Sequence, residues 1–354
     1  DKENELAGRV YPMFKGNQHI MYVYKTYRDI RLVGAPPESV GKFGGDTDNW
    51  EWPRHTGDFS IFRVYTSKDG KPVGYNKDNV PLKPKYFLPV SLKGVSEGSY
   101  AMIYGYPGGT NRYETSYGIK LKNEIENPSL VGLRDIRLKF MHEQMIKDPA
   151  IKLKLADSYA GIANYWKFYD GETKQLIKYH VFDQKKTYEN KFASWANGKP
   201  EYENILADYA KNYADWTPYA KQRTYLIEGI LGSPLTGAAS GLASLEAKLM
   251  NNTTPAADLK KALDAATANR ESFKESEDLT SDEKIMAATA MRFYEDVDKS
   301  QHPIGFYEGI KASYGNLNED ATYKKWAHDV FTKTILLDDA KWNAFVAAPT
   351  AATL

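Results

Sequence analysis

The stretch FGGDTDNWEWPRHTGDFSIFRVY, Phe43 to Tyr65, gathers two tryptophans, a histidine, four acidic residues and three glycines into 23 positions. Its end decides how the first part of the chain is read. Phe59, Ile61 and, in part, Val64 alternate with polar neighbours, the period of a half-buried strand. Upstream lie "HIMYVYKTY" and "DIRLV", short runs rich in Tyr, Val and Ile, and the connections between the runs carry Gly, Pro and Asn-Lys-Asp-Asn. Downstream, "SYAMIYGYPGG" reads as a buried strand entering a glycine turn. The first hundred or so residues are therefore expected to be β structure.

After about Arg112 the texture changes. Asp148-Pro149 offers an N-cap followed by a proline at the first helical position. From there Ile151, Leu155, Tyr159, Ile162, Trp166 and Tyr169 recur every three or four residues, which predicts one apolar stripe on a helix of at least five turns. "EYENILADYAKNYADW" repeats the pattern through Ile205, Tyr209, Tyr213 and Trp216. Thr280 and Glu283 have the spacing of a capping box ahead of "KIMAATAMRFYEDV". "GSPLTGAASG" is expected to break one helical group from the next. No sequence repeat is evident.

Composition narrows the function classes. A length of 354 residues suggests two domains, and with 42% hydrophobic and 26% charged residues the chain can bury a core and still dissolve. Lys and Arg number 47 against 46 Asp and Glu, so no net positive field draws in nucleic acid or an anionic membrane. No apolar run approaches the roughly 18 residues of a membrane span. The absence of cysteine removes disulfides, thiolate metal sites and a cysteine nucleophile. The chain opens Asp1-Lys2-Glu3 without Met or a signal-like segment, so any targeting peptide is expected to have been lost or to lie upstream, and the chain to be a fragment.

Candidate chemistry thins out quickly. Asp46, Asp48, Asn49 and Glu51 invite a calcium loop, but an EF-hand wants an oxygen ligand where Trp50 stands, Gly at Glu51 and Glu at Gly57. The six histidines include no His-Glu-x-x-His and no close pair, and His142 reads as a solvated helix residue. Ser240 in "GAASG" lacks a Gly-x-Ser-x-Gly elbow, so small residues packing between helices is the better reading. That leaves Asp58. By itself it reads as a solvated strand end sooner than as a catalytic group.

The order of the chain adds to this. "DFSIFRVYT" followed by "LPVSLKGVSEGSYAMIYGYPGG" is similar to trypsin-like proteases, in which an Asp heading such a strand orients the catalytic His and a later strand ends in a Gly-x-Pro turn. "GGDTDNWEWPRHTGDFSIFRVY" resembles, more specifically, the signature of the S46 peptidases, the dipeptidyl-peptidase 7 and 11 family of Gram-negative bacteria. The segment containing "AGIANYWKFYDGE" resembles that family's helical domain, and the likeness runs along essentially the whole chain.

The resemblance implies an α+β fold: part of a trypsin-like double β-barrel over 1–112, interrupted by a large all-α helical insertion over 113–354. It places the triad aspartate on Asp58, the two residues that meet the substrate's free amino terminus on Asn49 and Trp50, and a second asparagine from the helical domain on Asn164. Independently, Asn164 falls on a helix face with Ala156, Ala160 and Gly161, nearly opposite the apolar stripe, where a ligand could come close. It also implies a serine route without metal or organic cofactor, a peptide substrate with a free N-terminus, and residence in the periplasm or at the cell surface. A homodimer of the parent is left open.

The family's His precedes the stretch seen here and its Ser follows the helical domain. Neither motif occurs, and His19 and His55 do not fit the family's His position. The chain alone is therefore expected to be inactive. The alternative is a peptide-binding module that has kept the cap and lost the chemistry.

Overall fold

The computed structural model describes residues 6–45, 47–102, 111–251 and 253–354. The chain divides into two compact units, Asp1–Gly109 and Thr110–Leu354. The described residues are mostly helical, with few strands.

In the first unit, β1 (Leu6–Met13) and β2 (Gln18–Lys25) form a two-stranded antiparallel sheet, and β3 (Asp29–Gly34), β4 (Ile61–Thr66) and β5 (Val80–Pro81) form a three-stranded one. No closed barrel forms among the described residues. β3 is anchored by its first residue. The buried Asp29 carboxylate accepts from Arg31 Nε at 3.0 Å and Nη2 at 2.9 Å and from Asn79 Nδ2 at 2.8 Å. These donors, Arg31 first, hold its pKa down to about 2. The guanidinium also lies 3.8 Å from the Tyr65 ring centroid, joining β3 to β4.

The strand ending in Tyr65 starts later than its sequence suggests. The ladder begins at Ile61, and Phe59 and Ile61 are exposed while Val64 is half-buried, so the expected apolar face is not buried as a whole. Residues 99–102 are not in a strand, and the rest of "SYAMIYGYPGG" lies outside the described residues.

The second unit follows its helical code more closely. Its helices are α2 (Ser116–Leu121), α3 (Asn127–Met145), α4 (Pro149–Lys178), α5 (Val181–Ala196), α6 (Ile205–Thr224), α7 (Pro234–Ser240), α8 (Ala243–Met250), α9 (Ala256–Ser276), α10 (Leu279–Asp296), α11 (Phe306–Tyr314), α12 (Asp320–Lys333) and α13 (Asp339–Ala347), numbered after the short α1 (Glu38–Gly41) of the first unit. Asp148 caps α4, its Oδ1 accepting from Ala150 N at 2.8 Å. Leu155 is fully buried with Met141 and Ile285, and Ile151, Tyr159 and Ile162 pack around them, as the stripe predicts. The main core gathers Leu133, Tyr225, Phe293, Tyr323 and Trp342 from helices far apart in sequence.

Two expectations need correcting. The cap of α10 is Asp278, not Thr280: its Oδ2 accepts from Ser281 N at 2.8 Å, while Glu283 turns to His328 at 3.2 Å instead of closing a capping box. Asp is the better cap, and it claims the helix two residues early. "GSPLTGAASG" is not simply a break either. Pro234 opens the seven-residue α7, whose Leu235 N donates to the buried Asp282 carboxylate at 2.9 Å. Ser240 gives its hydroxyl to Thr236 O, a structural role.

Burial raises the pKa of Asp282 to about 6 and that of Glu277 to about 7. A carboxyl whose folded pKa lies above its unfolded value penalises the folded state once ionised. The cost is absent well below pH 4, grows as pH rises from about 4 towards the folded pKa values of about 6 and 7, and is constant above them. For Asp282 it amounts to about 2–3 kcal/mol. Asp282→Asn is therefore expected to lie close to the wild-type melting temperature at pH 4 and exceed it at pH 8. Equal melting temperatures at both pH values would contradict this.

Candidate active site

The loop between α1 and β4 is pinned at both ends. Gly57 N donates to Val40 O at 3.0 Å, and Thr56 Oγ1 donates to Phe43 O at 3.0 Å, so residues 43–57 leave and return at one place. Within it Asp48 N donates to Gly44 O at 3.2 Å, and Gly44, at φ +78°, has the Asp48 carboxylate where a Cβ would stand, only 1.9 Å from Oδ2. A side chain at 44 would displace that carboxylate.

This turn presents Asn49 and Trp50. Asn49 is half-buried, and its Oδ1 faces Arg54 Nη1 across a long 3.5 Å. Trp50 is 56% exposed and sits at φ +62°, the left-handed region that costs a bulky residue about 1–2 kcal/mol. Strained backbone of this kind clusters at active sites and ligand clamps. Asp46, from the calcium reading, lies outside the described residues.

Asp58 leaves the loop immediately after its pinned end, three residues before the β4 ladder. It is exposed and, among the described residues, has no hydrogen-bond or ion-pair partner. Both carboxylate oxygens are open to a donor such as an imidazole N–H.

Asn164 belongs to the second unit, half-buried on α4 between buried Ala163 and exposed Tyr165. The neighbouring Gly161 faces open space, with nothing within 4 Å of where its Cβ would be. The helix beneath is held by a charge network that the sequence does not announce. Arg134 on α3 donates to Glu228 through Nε at 3.1 Å and Nη2 at 2.8 Å, and its guanidinium lies 5.5 Å from the ring centroids of both Tyr165 and Tyr169 on α4. Arg137 adds a 3.5 Å contact to the same carboxylate. The i, i+3 pair of arginines is visible in the sequence, but its acceptor lies more than ninety residues away.

The family model of Peptidase S46 matches residues 1–354. The chain belongs to the S46 peptidases. It is 40% identical over 359 residues to an Asp/Glu-specific dipeptidyl-peptidase of Flavobacterium psychrophilum, covering all of this chain and 48% of the relative. It is 37% identical over 360 residues to dipeptidyl-peptidase 7 of Capnocytophaga gingivalis, covering all of this chain and 49% of that protein. Among solved structures it matches Porphyromonas endodontalis DPP11 in complex with the dipeptide Arg-Glu, at a TM-score of 0.80 and 31% identity, over 99% of this chain and 49% of that one. This S46 chain thus spans about half the length of the curated relatives it matches.

The strain at Trp50 makes a direct expectation. Trp50→Gly and Trp50→Ala both remove the ring, but only glycine accepts φ +62° without cost, so the glycine variant should be about 1 kcal/mol more stable than the alanine variant in chemical denaturation. An alanine variant as stable as the glycine one would mean that the backbone is not held in this conformation.

Proposed function

We propose that this chain supplies the aspartate and the amine-binding groups of a serine-type dipeptidyl-peptidase, which removes dipeptides from the free amino termini of peptides. The observation that carries the reading is the 31% identical structure crystallised with a dipeptide, matched over 99% of this chain. Relatives named as dipeptidyl-peptidases support it.

Asp58 does not take up the proton in this reading. It fixes the tautomer of the catalytic imidazole and stabilises the imidazolium formed as the serine hydroxyl is deprotonated. The histidine and the serine are assigned to segments of the enzyme outside these 354 residues, as the family resemblance implies. Release of two residues at a time then needs a group that recognises the terminal ammonium. An ammonium withdrawn from water is costly unless its N–H donors find acceptors. The amide oxygens of Asn49 and Asn164 are assigned as acceptors and the Trp50 ring as the wall that closes the end of the cleft. The first unit is read as part of the catalytic double barrel and the second as its helical cap. The same reading puts the enzyme in the periplasm or at the surface of a Gram-negative cell.

Two substitutions in the intact enzyme test this. Asp58→Asn should leave the fold in place and lower acylation by about 10⁴, because the amide favours the wrong imidazole tautomer. A variant within tenfold of the parent would reduce Asp58 to a solvated strand end. Asn164→Ala should lower kcat/KM for dipeptidyl substrates by the equivalent of about 1.5–3 kcal/mol, one hydrogen bond to a charged group. The inactivation rate by a small fluorophosphonate should hardly change. An equal fall in both rates would make Asn164 a structural residue and remove the clamp.

A further inference from the structure

The stripe Tyr209, Tyr213, Trp216 on α6 reads as a core face, yet Tyr209 is 44% and Trp216 42% exposed. The rings line an open cavity of about 350 Å³ instead of a core. The opposite wall is α2 with the residue before its cap, Glu114, and the π-helical turn Lys122–Glu126 that follows it, so it contributes two carboxylates, Glu114 and Glu126. Single π turns of this kind are frequent at functional sites.

The two carboxylates are held differently. Glu114 Oε1 accepts from Tyr213 OH at 2.7 Å and lies against Gly118, where an added Cβ would meet it at 2.1 Å. α2 itself is fastened from behind, since Ser116 N and Oγ each donate to the buried Glu189 carboxylate at 2.6 Å. Glu126 has no hydrogen-bond or ion-pair partner among the described residues. Burial is the first cause of its raised pKa; Glu114 and Glu172 push the same way, and Lys122 and Arg223 oppose them. Lys122 also lines the cavity, but its Nζ pairs with Glu172 at 3.8 Å and, among the described residues, makes no ion pair with Glu126 or Glu114.

We propose that this cavity is a binding site for an alkylammonium or guanidinium group on an apolar stem, with Glu126 and Glu114 facing the charge and Tyr209, Tyr213 and Trp216 enclosing the stem. The chemistry is complementary on both counts. Aromatic faces attract a cation and cover its alkyl chain. A half-desolvated carboxylate without a partner is satisfied by a charged N–H donor. An anion would meet two carboxylates, and a neutral apolar ligand would leave Glu126 desolvated and unpaired. The site uses none of the residues assigned to the substrate's amino terminus, so it stands or falls separately from the peptidase reading. Its cation has two natural sources, a free small amine or a basic side chain of a peptide.

The test is a titration of the 354-residue chain, with the Trp216 indole N–H resonance assigned by Trp216→Phe. n-Butylammonium should shift that resonance saturably, whereas n-butanol, which has the same stem and no charge, should not. Glu126→Gln, which keeps the shape of the side chain, should weaken n-butylammonium binding at least about fivefold, and Trp216→Leu by a similar factor. N-acetyl-Ala-Lys-Ala-amide is the second arm. Tighter binding than n-butylammonium supports the site and assigns it to a peptide side chain; weaker binding supports it and assigns it to a free amine. Absence of a saturable shift with either cation, an equal response to n-butanol, or a folded Glu126→Gln variant binding within twofold of wild type would overturn the proposal.

Discussion

One carboxylate organises the helical unit. Glu228, in the π-helical turn Tyr225–Ile230, receives the guanidinium of Arg134 in a two-point hydrogen bond and that of Arg137 at longer range, with all three side chains less than a fifth exposed. Buried charges tolerate little misplacement, because an arginine without its acceptor costs about 3–5 kcal/mol. Meeting that requirement sets α3 against the turn. The Arg134 guanidinium lying near Tyr165 and Tyr169 then sets the face of α4 that carries Asn164. The position of a proposed substrate-binding amide thus depends on an ion pair between α3 and a turn far along the chain.

The first unit reaches its candidate residues by other means. Its loop gains definition from its two pinned ends, and within it a glycine yields space to an aspartate and a tryptophan occupies a left-handed backbone position. The outcome is an asparagine and an exposed ring presented side by side, followed at once by an aspartate with no partner among the described residues. A carboxylate in that condition contributes little to the fold, which is what a group reserved for another side chain would look like.

Local signals in the sequence carry part of this structure. Asp148-Pro149 and the stripe from Ile151 to Tyr169 correctly define α4, because capping and helical periodicity act over a few residues. The S46 membership was legible in the stretch containing Asn49, Trp50 and Asp58. What failed was competition and distance. Asp278 outcompetes Thr280 as a cap, and Asp282 reaches from α10 to cap α7, turning an expected break into a helix. The α6 stripe has the periodicity of a core face, but periodicity says only which side chains share a face. Whether the facing element brings leucines or, as here, Glu114 and Glu126 depends on tertiary packing. Arg134 and Arg137 show their spacing in the sequence, while nothing in the sequence names Glu228.

The proposed reading assigns Asn49, Trp50 and Asn164 to the free ammonium of a dipeptide substrate. The most direct measurement is side-chain NMR of the 354-residue chain during titration with Arg-Glu, the dipeptide of the DPP11 complex, and with its N-acetylated form. The account predicts that the Trp50 indole and Asn164 amide resonances shift along one shared saturation curve with Arg-Glu, and stay in place with N-acetyl-Arg-Glu. Equal shifts with the acetylated peptide, or a response from only one of the two side chains, would contradict it.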